Sequence, residues 1–375
     1  MIDGNSRLPP PDPGASMKAL ALQGLAVLAV VAACAWAYHN AVGNLAQRNI
    51  NVDFGFLLSP AGFDIPFRLT SWSTSDSYGR ALLVSGLNTL LASALAILLA
   101  TALGLILALM RLSSNPLASW TARAFVELVR NTPQLLQIVF WYIVVLQVLP
   151  SARASISLGA AVFVNVRGLF MPAPLSPWFG WLLAVGLAIA ALLPRALPRF
   201  PLLLTILVPV AVAISAASLV TGWERPALNG FNFTGGWRLP PELLALTTGI
   251  GIYTAAFVSE NMRASIEAVG HGQQEAARSL GLSTGRTMRL VVLPQALRTL
   301  LPPMTSHYLN IIKSTTLGAA IAYPEILQIF ARTVLNQSGR AIEAMSLVLG
   351  VFLTLNLMVS TLMSRWDRRL ALQRR

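Results

Sequence analysis

Residues 81–110 read ALLVSGLNTLLASALAILLATALGLILALM and contain no Asp, Glu, Lys or Arg. A helix of about 20 apolar residues is enough to cross the hydrocarbon core of a bilayer, which is ~30 Å thick. A charge-free run of this length is typical of a membrane helix and not of a soluble domain. The stretch therefore predicts a membrane-spanning helix, Ala81–Met110.

Small residues recur at every fourth position along this stretch, which places them on one face of the predicted helix. They are Ala92, Ala96, Ala100, Gly104 and Ala108. Small side chains let helices approach closely in lipid, where hydrophobicity gives no preference for contact between helices. The stripe therefore predicts a packing face, directed to the interior of this chain or to a partner membrane chain, and not a substrate site.

The composition of the whole chain indicates the same class of protein. Of the 375 residues, 55% are hydrophobic and only 11% are charged, and the mean hydropathy is +0.65. Soluble domains carry about 25% charged residues, so this chain has too few to cover a water-facing surface of its size. An ordinary soluble enzyme, a disordered protein and, with Cys34 as the single cysteine, a disulfide scaffold are all excluded.

Eight apolar stretches are candidates for spans, which predicts an all-α, polytopic integral membrane protein with about eight transmembrane helices. The predicted spans are Met17–Tyr38, Ala81–Met110, Phe125–Leu149, Trp178–Leu193, Phe200–Thr221, Leu243–Met262, Pro303–Ala322 and Ile342–Ser364.

The charge excess fits loops on one side of a membrane. Lys and Arg number 27 against 14 acidic residues, for a net charge of +13. With the N-terminus inside, 17 of the 27 cations fall in inner segments, 9 in outer segments, and Lys313 within a span. This bias follows the positive-inside rule and predicts that both termini are cytoplasmic. The arginines are spread between apolar runs, so the excess does not indicate nucleic-acid binding.

Between its termini the chain divides into few segments. Residues 1–16, with four prolines, predict a disordered cytoplasmic leader, and 17–38 a first transmembrane anchor that is retained rather than cleaved. Residues 81–364 form the predicted permeation domain, with inserted spans and outer loops at 150–242 and a cytoplasmic loop at 263–302. Residues 365–375 form a basic cytoplasmic tail.

The residue types needed for several kinds of catalysis are scarce. The chain has three histidines, His39, His271 and His307, and one cysteine, so a Cys/His metal cluster cannot be built. The only Lys-Ser/Thr pair, Lys313-Ser314, lacks the glycines of a phosphate-binding loop. We therefore expect no metal, no bound cofactor and no ATP hydrolysis by that route.

One stretch matches a hydrolase motif formally. Gly281-Leu282-Ser283-Thr284-Gly285 fits Gly-x-Ser-x-Gly, but that motif requires a strand–turn–helix in an α/β sheet. Here it lies between two short helical segments. We expect Gly281 to close the first helix and Ser283 to cap the second.

The loop at 263–302 collects the polar residues of the inner side. Gln273–Leu280 is a run of good helix formers, and Thr284–Leu293 predicts a second short helix that Pro294 stops. Both are too short to span and too polar for lipid. They are consistent with a surface that binds a partner protein, where Ala276 and Ala277 would form a small knob beside Glu275. They are equally consistent with an amphipathic connector that binds nothing.

A resemblance favours the partner surface. Glu275-Ala276-Ala277 is followed after three residues by Gly281, after nine more by Val291, and then by Leu293-Pro294. This spacing, EAA-x3-G-x9-[IV]-x-LP, resembles the EAA loop of ABC importer permeases. Further stretches resemble the polar-amino-acid (histidine/glutamine permease-like) branch of that family: GLNTL at 86–90, VELVRNTP at 126–133, YTAAFVSE at 253–260, LPQALR at 293–298 and KSTTL at 313–317.

The resemblance covers residues 81–149 and 243–364 closely. Between them, two extra spans distinguish the chain from five-span members and resemble the general L-amino-acid permease subgroup, which has eight spans. Thr315-Thr316 stands where Thr-Ser is more usual in the family, which keeps a hydroxyl at both positions.

The resemblance implies a type I ABC importer permease fold and a mechanism. Two permease chains, expected to differ from each other, would form the path in a bacterial inner membrane. An ATPase dimer would hydrolyse ATP, so this chain would not be an enzyme, and a periplasmic binding protein would deliver an L-amino acid. The ATPase-docking residues would be Glu275, Ala276, Ala277, Arg278, Gly281, Leu293 and Pro294.

Charged residues inside the predicted spans indicate a candidate substrate path. Lys313 falls at mid-depth, where an unpaired charge is costly, so it should face a cavity or a partner. With the hydroxyls of Ser314, Thr315 and Thr316 it could meet a carboxylate. Glu260 could meet an amino group, pair with Lys313, or pair with a neighbouring arginine at the interface. Glu127 and Arg130, one turn apart, predict a mutual ion pair.

The main alternative is an ion-coupled secondary amino acid transporter. Such a protein is expected to show interrupted spans in two inverted halves and several buried carboxylates. Neither feature is clear in this sequence, and the polar cytoplasmic loop would have no role.

Overall fold

The computed structural model describes residues 13–47, 52–159, 161–175, 185–186, 189, 202–220 and 222–372. The chain forms two units, Met1–Phe56 and Leu57–Arg375. The first unit contains α1, Pro13–Gln47, which includes the whole predicted span Met17–Tyr38. Residues 1–12 of the predicted leader lie outside the described residues, and residues 13–16 form the first turn of α1.

The second unit is built mainly from helices. They are α2 (Tyr78–Arg111), α3 (Pro116–Arg130), α4 (Gln134–Val148), α5 (Leu202–Val220), α6 (Pro241–Glu267), α7 (His271–Ser279), α8 (Thr284–Thr287), α9 (Leu293–Ser314), α10 (Leu335–Ser338) and α11 (Ala341–Leu372). Shorter 3₁₀ turns cover Gly55–Leu58, Ala152–Ala154 and Thr315–Ile321, and π-helical turns cover Met288–Val292 and Gln328–Val334. The prediction of a predominantly helical fold is confirmed, at 72% helix.

Three helices of the described residues are long and apolar enough to cross a membrane: Tyr78–Arg111, Pro241–Glu267 and Ala341–Asp367. The predicted span Phe200–Thr221 corresponds to α5. Trp178–Leu193 lies almost wholly outside the described residues. The helix that contains the predicted span Pro303–Ala322, α9, begins ten residues earlier, at Leu293, directly after a π-helical turn. The chain changes to 3₁₀ geometry at Thr315.

The prediction of one continuous helix over Phe125–Leu149 is wrong. The chain forms two helices, α3 and α4, separated by Asn131–Pro133. Pro133 has no N–H and disfavours helical geometry in the residue before it, so helix α3 ends at Arg130. The Asn131 N–H still closes the last turn by donating to the Glu127 carbonyl, 3.1 Å away.

The small-residue stripe of α2 packs inside the chain, against α6. Ala92, Ala96, Ala100 and Ala108 are fully or almost fully buried. A Cβ added to Gly104 would lie 2.5 Å from Val258 Cγ1 and 3.2 Å from the Ala255 carbonyl oxygen, so only glycine fits this crossing. The packing-face prediction is confirmed, and the face is directed to the interior of this chain.

The insert at 150–242 contains short strands, which the sequence did not predict. They are β1 (Ile156–Ser157), β2 (Phe163–Asn165), β3 (Gly168–Met171), β4 (Ala173–Pro174), β5 (Trp223–Glu224), β6 (Ala227–Asn229), β7 (Asn232–Thr234) and β8 (Trp237–Leu239). An antiparallel sheet has the order β1-β2-β3-β8, and β4–β5 and β6–β7 form separate pairs. The strand β8 leads directly into α6, so this sheet lies at the end of α6 opposite to α7.

The polar loop after α6 forms helices close to those predicted. Gly281 adopts a left-handed φ of +78° and its N–H donates to the Arg278 carbonyl, while the Leu282 N–H donates to the Ala277 carbonyl. This pair of bonds is a Schellman cap, as expected for glycine after a helix. Ser283 occupies the N-cap position of α8, but its side chain makes no capping hydrogen bond. The turn joins two helices and contains no strand.

The prediction that Pro294 stops the second loop helix is wrong. Beyond α8 the chain continues as π-helix Met288–Val292 and then as α9 without a break. Pro294 lies in the first turn of α9, immediately after the wide π turn closed by the Leu293 N–H and the Met288 carbonyl. A proline is tolerated in a first turn, where its missing N–H costs no helical hydrogen bond.

Candidate functional site: a polar cavity and an exposed loop helix

A polar cavity of about 490 Å³ lies between α4, α6, α9 and the 3₁₀ turn that follows α9. Its lining residues are Gln134, Tyr253, Thr254, Phe257, His307, Asn310, Lys313, Ser314, Thr316 and Leu317. The described lining thus offers one ammonium group, an imidazole, amides, hydroxyls and aromatic rings, and includes no carboxylate. Such a surface suits a small polar molecule that carries a carboxylate.

Lys313 is the cation of this cavity. It lies in the last turn of α9, and its side chain is exposed to the cavity space. Among the described residues it forms no ion pair within 4.0 Å. A charge in a spanning segment normally finds a partner or an aqueous cavity, and here it has the cavity.

The hydroxyl residues that follow Lys313 divide between the cavity and the core. Ser314 Oγ donates to Gln134 Oε1 at 3.1 Å, which joins α9 to α4 across the cavity wall. Thr316 also lines the cavity, and its Oγ1 donates to the Lys313 carbonyl at 2.7 Å. Thr315 is fully buried and its Oγ1 donates to the Ile312 carbonyl, so this predicted path residue is not part of the lining.

Glu260 lies outside the cavity lining. Its carboxylate accepts hydrogen bonds from Arg111 of α2 and from Arg263 one turn along α6, and Arg263 also pairs with Glu267. Two guanidinium groups neutralise the carboxylate, so Glu260 is not the counter-ion of Lys313. The arrangement matches the alternative in which Glu260 pairs with a neighbouring arginine, and it joins α2 to α6 at the C-terminal end of α6.

The predicted ion pair between Glu127 and Arg130 is wrong. Among the described ion pairs none joins these two side chains, and both are exposed. The Arg130 guanidinium instead lies over the Phe257 ring, with its Cζ 5.0 Å from the ring centroid. Because Phe257 lines the cavity, this contact places a second cation beside the aromatic wall.

The loop helix α7 presents most of its predicted residues to solvent. Glu275, Ala276 and Arg278 are exposed, as are Gly281, Leu293 and Pro294. Ala277 is only 4% exposed, so the expected two-alanine knob is reduced to Ala276. Leu280, which the sequence did not single out, is 82% exposed at the C-terminal end of α7.

The family of the chain follows from comparison with known proteins. Residues 100–372 match the family described as "Binding-protein-dependent transport system inner membrane component". This match covers well over half of the chain, and the chain therefore belongs to that family. It is a membrane-integral permease component of an ABC transport system and not an enzyme, and the ion-coupled alternative has no support.

Three relatives resemble the chain over nearly its whole length. The protein YhdX of Escherichia coli (strain K12), whose name describes an amino-acid ABC transporter permease, is 43% identical, with 96% of each chain covered. The general L-amino acid transport system permease protein AapQ of Rhizobium johnstonii is 36% identical, with 94% of this chain and 92% of AapQ covered. The permease protein BztB of a glutamate/glutamine/aspartate/asparagine transport system in Rhodobacter capsulatus is 34% identical, with 96% and 95% covered.

Among solved structures, an amino acid ABC transporter crystallised with histidines matches 78% of this chain and 95% of its own. The TM-score is 0.49 at 20% sequence identity.

Proposed function

We propose that the chain is the permease subunit of an importer that takes up L-amino acids from the periplasm, energised by a separate ATP-binding-cassette subunit. The observation that carries the proposal is the placement of the cavity. It lies between α6 and α9, the two helices that flank the exposed loop helix α7. The names of YhdX, AapQ and BztB, all amino-acid permeases, support the substrate class.

The cavity is the proposed substrate path. Lys313 would meet the α-carboxylate of the amino acid, and the hydroxyls of Ser314 and Thr316 and the amide of Asn310 would complete its polar surroundings. A carboxylate would satisfy the ammonium group of Lys313, which pairs with no carboxylate among the described residues. Thr315 and Glu260 support the path indirectly, by packing α9 and by fixing the inner end of α6.

The loop helix α7 is the proposed docking element for the ATPase. Its exposed residues Glu275, Ala276, Arg278 and Leu280 combine a small contact site with a carboxylate, a guanidinium and an apolar side chain. That combination suits insertion into a cleft on another protein. The remaining proposed partners are a second, different permease chain and a periplasmic amino-acid-binding protein.

The proposed location is a bacterial inner membrane with both termini in the cytoplasm. The bias of cations toward the segments that contain α7 supports this orientation. Reporter fusions at Gly281 and at Gly230, in the β6–β7 turn, test it: the first should report cytoplasm and the second periplasm. The reverse pattern would contradict the orientation.

Replacement of Lys313 tests the path. Lys313→Met keeps the length of the side chain and removes its charge, and charged hydrogen bonds contribute about 1.5–3 kcal/mol. We expect uptake of labelled amino acids into proteoliposomes that contain all subunits to lose roughly tenfold or more in kcat/KM. Lys313→Arg, which keeps the charge, should retain part of the activity.

Two outcomes would overturn the proposal. Normal uptake kinetics of Lys313→Met would remove Lys313 from the path. Uptake that continues after ATP depletion, by a preparation in which no ATPase subunit co-purifies, would contradict the importer assignment itself.

A further inference from the structure

A cluster of buried polar side chains lies in the first turns of α2, far from the ion pairs of Glu260. Ser85, Asn88 and Thr89 are 0% exposed and Ser93 is 3% exposed. Asn88 and Arg111 are 23 residues apart on one helix, so the two sites are about 35 Å apart. Buried polar groups need hydrogen-bond partners. The hydroxyls of Ser85, Thr89 and Ser93 donate to carbonyls of α2 itself, whereas Asn88 donates to other segments.

The amide of Asn88 joins three separate pieces of the chain. Its Nδ2 donates to the Phe67 carbonyl at 2.8 Å and to the Pro324 carbonyl at 2.9 Å. Because both partners are carbonyl oxygens, only one orientation of the amide satisfies them. Phe67 precedes α2, and Pro324 follows the 3₁₀ turn after α9. One side chain therefore fixes α2, the segment before it and the segment after α9.

The segment around Pro324 is held by α2 through further contacts. The Tyr323 hydroxyl donates to the Asn88 carbonyl at 2.9 Å, and the Ile326 N–H donates to Thr89 Oγ1 at 3.2 Å. Tyr323 and Ile326 are fully buried. Just before them Ala322 has a φ of +58°, a left-handed conformation that costs a non-glycine residue energy and persists only where the surroundings impose it.

This anchored segment is continuous with the wall of the cavity. The seven residues Thr315–Ile321 form a 3₁₀ turn between the end of α9 and Ala322, and they contribute Thr316 and Leu317 to the lining. A 3₁₀ turn has poorer hydrogen-bond geometry than an α-helix, so its position depends more on what holds its two ends. One end is held by α9, and the other by the contacts of residues 323–326 with Asn88 and Thr89 of α2.

We propose that Asn88 is a positioning residue for transport, whose amide anchors the segment Thr315–Glu325 to α2 and so fixes the cavity wall beside Lys313. The inference rests on the proposed function in so far as the cavity is the substrate path. Removal of the amide loosens the end of this segment at Pro324. The cavity wall then opens independently of ATP hydrolysis by the ATPase subunit.

A second asparagine provides a matched control. Asn356 of α11 also has a side-chain oxygen that is buried without a hydrogen-bond partner, as Asn88 does. Its Nδ2, however, donates at 2.7 Å to the Phe352 carbonyl of its own helix, and within the described part of the chain it joins no other segment. Replacement of either residue by Ala removes the same group, but only the change at Asn88 releases a cavity wall.

The test measures the accessibility of the wall in the assembled transporter. A reporter cysteine is placed by Thr316→Cys in a Cys34→Ser background, and its reaction with a water-soluble maleimide is followed in nanodiscs without amino acid. We expect Asn88→Ala and the isosteric Asn88→Asp to raise the labelling rate about fivefold or more, since each loses two hydrogen bonds to the anchored segments. Asn356→Ala should stay within about twofold of the parent.

The coupling of ATP hydrolysis to uptake provides the second readout. A residue that only stabilises the fold would not change this coupling in the same way. We expect Asn88→Ala to raise the number of ATP molecules hydrolysed per amino acid imported, while Asn356→Ala leaves this ratio unchanged. If Asn88→Ala does not fold, Thr89→Val is used. This change removes the bond from the Ile326 N–H and the bond from Thr89 Oγ1 to the Ser85 carbonyl of its own helix, and it should give a smaller rise in labelling.

Equal labelling rates in the parent and in a folded Asn88 or Thr89 variant would overturn the inference. The labelling requires no substrate, so it separates this inference from the proposed path. If the Asn88 variants change the labelling rate while Lys313→Met shows normal uptake, the role of Asn88 as an anchor is supported and the proposed substrate path is refuted.

Discussion

The left-handed residue at the end of the loop helix offers the sharpest test of docking. Gly281 has a φ of +78°, and a Cβ added there meets nothing within 4 Å. Gly281→Ala therefore introduces no clash and changes only the cost of the backbone conformation. Gly285, four residues later in α8, also has open space around it but has no such φ. The pair separates backbone strain from the mere addition of a methyl group.

The size of the effect follows from the cost of that conformation. An L-residue in the left-handed region is disfavoured by about 1–2 kcal/mol, and relief of that strain breaks the hydrogen bonds from Gly281 and Leu282 to the end of α7. A cost of this size lowers the equilibrium constant for forming the native turn by roughly 5- to 30-fold. When only the native turn docks, the apparent Kd for the ATPase rises by up to the same factor.

The assay is a titration of the purified ATPase subunit onto the permease in nanodiscs. Gly281→Ala should weaken binding, by up to roughly 30-fold. Gly281→Asn should weaken it less, because asparagine tolerates this conformation better than alanine. Gly285→Ala should bind as the parent does. Equal binding by the Gly281 and Gly285 variants would refute the reasoning. It would also be refuted if Gly281→Asn weakened binding as much as Gly281→Ala does.

Two further changes test the packing that carries the cavity. Gly104→Ala should lower the stability in detergent by about 1–3 kcal/mol because the added methyl group clashes with Val258. Gly86→Ala on the same helix, where the space is open, should be neutral or stabilising. Val258→Ala should partly rescue Gly104→Ala, and stability losses of the two single variants that simply add in the double variant would contradict the contact. Glu260→Gln should lower the melting temperature more than the more exposed Glu267→Gln does, because Glu260 neutralises two guanidinium groups; equal shifts would show that its ion pairs contribute nothing.

Local signals in the sequence were sufficient for α2 and for the turn between α7 and α8. The charge-free run of α2 and its small-residue stripe predict both a span and a packing face, because helix periodicity alone places those residues together. Gly281 was predictable as a helix cap for the same reason: its role depends only on residues next to it in the chain. Both predictions are confirmed.

Features that depend on distant segments were not predictable in the same way. Ala277 and Ala276 are neighbours with the same side chain, and only the packing of the loop decides which is buried. Pro294 was expected to stop a helix, but a preceding π turn lets the helix continue. The anchor at Asn88 joins residues more than 230 positions apart, and the single signal in the sequence was a polar residue inside an apolar span.

Under the proposed function, the position of the cavity explains how the loop that contains α7 can act on it. The loop helix α7 is followed and preceded by helices that both line the cavity, with Tyr253 and Phe257 on α6 and His307 and Lys313 on α9. A helix moves as a rigid rod because its backbone hydrogen bonds are internal. A displacement of α7 would therefore shift two walls of the cavity, while the anchor at Asn88 holds the segment beyond α9. Under the proposed function, transport would require this relative movement, since a wall free at both ends would transmit none of it.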